Sequence, residues 1–117
     1  MINHPCAIWC RETSINYKWL AVHNMQLIEE YSWRYGKTHA SESLSIWLHD
    51  NFPKNIKYDH LTPFALAMPD QYKCKDAVLS YRNYYINEKK SFAKWKDGNI
   101  PQWFSVGVTG KNDTICT

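Results

Sequence analysis

The stretch that decides the fold is TSINYKWLAVHNMQLIEEYSWRYG, residues 13–36. It contains no proline, and it contains no glycine before Gly36. Thr13 or Ser14 can cap a helix start with a side-chain oxygen, and glycine commonly ends a helix. The stretch therefore predicts one long helix, the strongest element in the chain.

A shorter helix is predicted next, over about residues 40–51. Leu44 and Leu48 fall there at helical spacing, and Thr38 or Ser41 can cap the start. Pro-rich residues 53–75 follow, and their apolar content favours an ordered loop with room for one helical turn.

A third helix is predicted over residues 77–96, AVLSYRNYYINEKKSFAKWK. Asp76 can cap its start, and an Asp-Gly pair follows its end. We therefore expect an all-α fold, a compact bundle of about three main helices with a long ordered loop. Residues 1–104 would form a single helical domain, and residues 105–117 an irregular C-terminal tail.

The composition permits several functions and excludes others. The chain has 117 residues, a formal net charge of +3, six Trp, eight Tyr and four Phe. Aromatic side chains suit cores, interfaces and base-stacking surfaces. No apolar run is long enough to span a membrane, and no signal-peptide run is present, so we expect no membrane partner and a cytoplasmic location.

The cysteines and the absent motifs argue against metals and cofactors. Cys6, Cys10, Cys74 and Cys116 lack the paired spacing of a zinc site, so we interpret them as free thiols and the region near Pro5 as a strand or turn. No Walker loop, dinucleotide fingerprint or nucleophile elbow occurs. We expect neither a metal nor a cofactor.

Four polar residues of the first predicted helix form what we call the polar seam. Asn16, His23, Glu30 and Arg34 project within about 40° of one another at 100° per residue. One interpretation is a helix edge with a Glu30–Arg34 ion pair. The other is a pocket in which Arg34 holds phosphate while Glu30 and His23 move protons.

A second pattern lies on the third predicted helix, where cations and aromatic residues alternate. Residues 82–96 hold five Lys or Arg and one acid. The stripe consists of Val78, Arg82, Tyr85, Lys89, Phe92 and Lys96. It is either a solvated face or a surface on which rings stack against bases and cations bind phosphate.

The segment RYGKTHAS, residues 34–41, offers a third candidate. Tyr35, Lys37, His39 and Ser41 lie at the predicted start of the second helix, and helix N-termini attract anions. A phosphate site or a simple capped turn explains this segment equally well.

Four blocks together resemble a family of small phage-encoded proteins often labelled as similar to pyrimidine-dimer DNA glycosylase (endonuclease V). The blocks are NHPCAIWCRETSINYKWL, EEYSWRYGKTHASES, TPFALAMPDQYK and SYRNYYINEKKSFAKWKDGNIPQWF. The resemblance covers about residues 3–104. It implies a phage protein in the cytoplasm of an infected bacterial host.

The resemblance also implies roles for residues. Such glycosylases attack the sugar with an N-terminal amine and use a helical glutamate, for which Glu30 is the candidate with His23 as proton partner. Nothing here matches the amine-bearing position, and the family's upstream segment, which a partner chain could supply, is missing. DNA would contact the chain through Arg82, Lys89, Lys94 and Lys96, with a base held among Trp19, Tyr35 and Tyr85.

Two further functions stay open. One is a non-catalytic binder that sequesters a nucleotide signal of host defence, with its pocket at a homo-oligomer interface. The other is a structural interaction protein whose polar seam is a packing feature only.

Overall fold

A computed structural model describes residues 2–108, which form helices and loops. Within that range no β-strand is present, and one isolated parallel bridge joins Thr13 to Tyr58. The all-α prediction is confirmed. The chain divides into two units, whose described parts are residues 2–63, the N-terminal unit, and residues 64–108, the C-terminal unit. A single domain over residues 1–104 stays a prediction, because contact density alone does not establish what folds together.

The N-terminal unit consists of α1 (Pro5–Glu12), α2 (Ser14–Tyr35) and α3 (Glu42–Asp50). The Thr13 hydroxyl accepts a hydrogen bond from the Asn16 amide at 2.9 Å, and Gly36 closes α2 with a left-handed φ of 62°. The long predicted helix is therefore confirmed at both ends.

Helix α1 corrects the expectation of a strand or turn near Pro5. Pro5 occupies the first helical position, where its missing N–H costs no hydrogen bond. His4 Nδ1 accepts from the Cys6 amide at 3.0 Å, so a histidine caps this helix instead of the usual small polar residue. Helix α1 was not predicted, because its N-cap residue is not one of the usual Ser, Thr, Asp or Asn.

The C-terminal unit begins with loop residues and a 3₁₀ turn at Asp70–Tyr72. Helix α4 (Ala77–Tyr84) follows, and it starts as predicted with Asp76 Oδ1 accepting from the Leu79 amide at 3.1 Å. It continues as a π-helical turn over Tyr85–Lys89.

The third predicted helix is wrong beyond that turn. The Lys89 carbonyl accepts from the amides of both Phe92 and Ala93 at 3.2 and 2.8 Å, which ends the helix. The chain then turns so that the ring of Trp95 lies 4.7 Å from that of Phe104. Tertiary packing of these rings overrides the local helical pattern.

Helix α5 (Gln102–Val108) corrects the predicted irregular tail at residues 105–108. Gly107 packs against Ile86 so closely that any Cβ would collide with that side chain. The rest of the predicted tail, residues 109–117, lies outside the described residues.

Cysteine chemistry also differs from the expectation. Cys6 and Cys10 are free thiols, whereas Cys74 is disulfide-bonded. The interpretation of every cysteine as a free thiol is therefore wrong at Cys74, and Cys116 lies outside the described residues.

Candidate functional site

The clearest cation–aromatic arrangement lies at the end of α4, and we call it the Lys89 cluster (Tyr84, Tyr85, Lys89 and Phe92). The Lys89 Nζ lies 5.0 Å from the ring centre of Tyr84 and 5.4 Å from that of Phe92. The Phe92 residue is 63% exposed, and Tyr85 is exposed as well. An ammonium group next to an exposed ring can bind a phosphate while the ring stacks on a base.

Local backbone geometry assembles this cluster. The π-helical turn Tyr85–Lys89 widens the end of α4, and such turns are frequent at functional sites. The closing hydrogen bonds at the Lys89 carbonyl then bring Phe92 back toward the Lys89 side chain. The predicted stripe placed Lys89 and Phe92 together correctly, although the connecting backbone is not an α-helix.

The acid of this cationic stretch is already engaged. Glu88 Oε1 accepts a hydrogen bond from the Tyr72 hydroxyl at 2.6 Å. This hydrogen bond raises the pKa of Tyr72, because ionisation would remove the phenolic proton that Tyr72 donates to Glu88. The Tyr72 contact holds the Glu88 carboxylate at the loop.

The other predicted cations of the C-terminal unit do not join the Lys89 cluster as one helical stripe. The Arg82 guanidinium lies 5.3 Å from the ring centre of Trp103 and so packs on α5. Lys94 and Lys96 lie after the helical turn, and Lys96 begins a separate 3₁₀ turn at Lys96–Gly98. The prediction of one continuous helical stripe from Val78 to Lys96 is therefore wrong: the α-helix does not continue past the π-helical turn, and Lys96 lies in a separate turn.

In the N-terminal unit, Asn16 of the polar seam has a structural role. Its exposed fraction is 0%. Its Nδ2 donates to the Trp9 carbonyl at 2.9 Å and to Thr62 Oγ1 at 2.7 Å, and its Oδ1 accepts from the Thr62 amide at 3.0 Å. A ligand cannot reach this amide without opening the unit, so the burial gives its predicted binding role no support.

His23 and Glu30, the candidate catalytic pair, contact different partners. The His23 ring stacks on Trp19, with centres 4.9 Å apart and planes at 16°. Glu30 Oε1 lies 3.3 Å from Arg34 Nε in an i,i+4 ion pair. Seven residues of helix separate His23 from Glu30, which is about 10 Å along the axis. The fold does not bring the two side chains together for proton transfer.

A second aromatic group lies where α2 leads into α3, and we call it the α2–α3 corner (Tyr31, Arg34, Tyr35, Lys37 and His39). The Tyr31 ring centre lies 4.9 Å from that of Tyr35 and 4.7 Å from that of His39. Tyr35 and Lys37 are exposed. Tyr31 was not among the predicted site residues, although its i,i+4 spacing from Tyr35 is visible in the sequence.

The start of α3 is less suited to an anion than predicted. Ser41 makes no side-chain cap, and its backbone N–H instead donates to His39 Nδ1 at 3.0 Å. Glu42 places a negative charge in the first turn. A carboxylate there competes with a phosphate for the helix N-terminus.

A small cavity of about 250 Å³ lies within the N-terminal unit. Its lining is mainly apolar, and burial raises the pKa of the Cys10 thiol at its wall. The lining residues are Cys10, Tyr17, Leu20, Ala21, His23, Asn24, Leu27 and Leu48.

Two classes of site have no candidate within residues 2–108. There, no group of three or more His, Cys, Asp or Glu side chains is arranged to hold a metal ion. None of the helices in that range combines the length and hydropathy needed to cross a bilayer.

No protein-family model, curated protein or solved structure matches this chain. The resemblance to the phage glycosylase-like family therefore stays a prediction.

Proposed function

We propose that the protein binds single-stranded nucleic acid or nucleotides through the Lys89 cluster. The observation that carries the proposal is the Lys89 ammonium, 5.0 Å and 5.4 Å from two ring centres, with the Phe92 ring largely exposed. Stacking on an exposed ring combined with a neighbouring cation is how sequence-tolerant single-strand binding is achieved.

The charge distribution supports the same proposal. Residues 82–96 hold five cations and one acid, and that acid, Glu88, already accepts from Tyr72. Phosphate groups would therefore meet a positive surface at this segment. Binding of this kind weakens as salt is added, because bound phosphates release counterions.

The test is fluorescence anisotropy with a short fluorescein-labelled oligothymidine at about 50 mM salt. Phe92→Ala should weaken binding about tenfold, since stacking contributes about 1–3 kcal/mol per base. Lys89→Ala should weaken binding about fivefold and make the salt dependence shallower. Lys75→Ala, an exposed lysine of the same unit, is the matched control and should change affinity less than about twofold.

Two results would overturn this proposal. One is no binding by the wild-type chain at low salt. The other is an equal loss of affinity in the Lys75→Ala control, which would mean that charge alone, and not the Lys89 cluster, attracts the oligonucleotide.

The α2–α3 corner favours a second candidate, a binder of free nucleotides. The Tyr31 ring contacts the rings of both Tyr35 and His39, and Arg34 and Lys37 flank Tyr35 in the sequence. A nucleotide bound there should raise the melting temperature in proportion to its affinity. That shift should disappear in Tyr35→Ala and persist in Tyr58→Ala, an exposed tyrosine of the same unit.

Glycosylase activity, which the resemblance implies, is a separate proposal. The separation of His23 from Glu30 favours recognition over chemistry. The test measures nicking of an ultraviolet-irradiated plasmid. Nicking by the wild type that Glu30→Gln abolishes would support the activity, and no nicking at micromolar protein would remove it. Borohydride trapping reports any Schiff base separately.

A further inference from the structure

The outward face of α2 carries large apolar side chains where a solvated helix normally carries charges. At 100° per residue, the seven positions span about 100° of arc, centred about 120° around the helix from the buried Ala21 and Ile28. All are exposed. We call this set the α2 stripe: Ile15, Lys18, Trp19, Val22, Gln26, Glu29 and Trp33.

The α2 stripe is a surface that could receive a partner helix. Trp19 is 40% exposed and Trp33 is 46% exposed. An open depression of about 370 Å³ runs along the stripe, with Ile15, Trp19 and Val22 in its wall. Exposed apolar patches with polar edges mark interaction sites in soluble proteins.

The charges on the stripe are arranged for pairing with a second copy. Lys18 lies in the first half of α2 and Glu29 in the second half, on the same edge of the stripe. Neither residue has an ion pair within the described chain. When two such helices pack antiparallel about a twofold axis, the edge with Lys18 and Glu29 on one helix lies against the same edge of the other helix.

The register of that pairing follows from the residue numbers. A twofold axis near residue 24 brings Lys18 opposite Glu29 of the second copy, and the reverse pair forms by symmetry. The same axis brings Ile15 opposite Trp33 and places Val22 near Gln26. One register therefore pairs both opposite charges and also places Ile15 against Trp33.

We propose that two copies of this chain associate through the α2 stripe, antiparallel, with reciprocal Lys18–Glu29 ion pairs. This proposal does not depend on the Lys89 cluster or on nucleic-acid binding. Helix α2 has 22 residues and is about 33 Å long. One helix face is smaller than the ~800 Å² per partner of a standard interface, so we expect a weak dimer with a dissociation constant in the micromolar range.

The experiment is sedimentation equilibrium of the full chain from about 1 to 200 μM, a range that brackets the expected constant. Lys18→Glu and Glu29→Lys should each weaken dimerisation at least about tenfold, because each places like charges opposite one another. The decisive sample is an equimolar mixture of the two variants. In a heterodimer every pair is again opposite in sign, so the mixture should dimerise as the wild type does.

A control variant and contrary results complete the test. Lys54→Glu changes an exposed charge of the same unit outside the α2 stripe and should leave the dimer unchanged, and circular dichroism checks folding. A wild type that stays monomeric at about 200 μM, the highest concentration tested, would overturn the proposal. So would a dimer that withstands both charge reversals, or a mixture of the two variants that stays monomeric.

Discussion

Each unit contains a polar side chain with no exposed surface, and the hydrogen bonds of the two side chains span very different distances along the chain. Asn16 in the N-terminal unit and Ser80 in the C-terminal unit are both 0% exposed. Asn16 bonds to Thr62, which is 46 residues away in sequence. Ser80 bonds to Cys74 and Asp76, within six residues. The N-terminal unit is therefore closed by a long-range contact, and the turn before α4 by a local one.

This contrast shows how the cost of losing a hydrogen bond depends on what it joins. Removing a local hydrogen bond frees one turn. Removing a long-range hydrogen bond frees a whole loop, whose ordering has an entropy cost that the bond helped to offset. Loss of the long-range hydrogen bonds should therefore cost more free energy of unfolding than loss of the local one.

Asn16→Ala should lower the free energy of unfolding by about 3 kcal/mol, because the Thr62 amide and the Trp9 carbonyl lose buried partners. Urea unfolding followed by fluorescence measures it. Asn24→Ala is the matched control on the same helix, since Asn24 Nδ2 donates to Ser45 Oγ at 2.8 Å. That control should cost about 1 kcal/mol. Equal losses would mean that Asn16 has no special role in closing the unit.

Ser80→Ala should cost about 1–2 kcal/mol, because the Cys74 amide, which donates to Ser80 Oγ at 2.9 Å, loses its acceptor. Hydrogen exchange at the Cys74 amide should accelerate, while amides of the N-terminal unit stay protected. Ser91→Ala, at an exposed serine of the same unit, should change neither. If exchange rises throughout both units, the contact is not local.

The smallest effect concerns pH and Cys10. Burial raises the pKa of its thiol, so the unfolded chain ionises first. The neutral Cys10 thiol therefore contributes to the stability of the folded state below about pH 8.5, the ordinary pKa of a thiol. This contribution is lost as the pH rises toward the folded-state pKa. Wild type should therefore lose more stability than Cys10→Ala between about pH 8 and 9.5, in urea titrations. Parallel curves for the two proteins would contradict the prediction.

Local signals predicted most of the helical framework. The ends of α2 follow from Thr13 and Gly36, and the start of α4 follows from Asp76, because a cap depends on residues within one turn. The same reasoning failed at α1, where His4 is an unusual cap, and beyond Lys89, where the packing of Trp95 on Phe104 takes over.

The candidate site was predictable only in part. Spacing placed Lys89 beside Phe92, and the Glu30–Arg34 pair was readable as i,i+4 neighbours. Periodicity also placed Asn16 on the polar seam. It could not indicate that Thr62 would bury this side chain, because that partner lies in a distant loop.

The sequence by itself determined the helical class, the caps of α2 and α4, and the concentration of positive charge at residues 82–96, since all of these depend on near neighbours. The tertiary structure decided which polar residues are buried and which rings surround Lys89. It also decided that the apolar side chains of the α2 stripe stay exposed. Burial is a property of residues that meet in space, and spacing along one helix cannot specify what covers it.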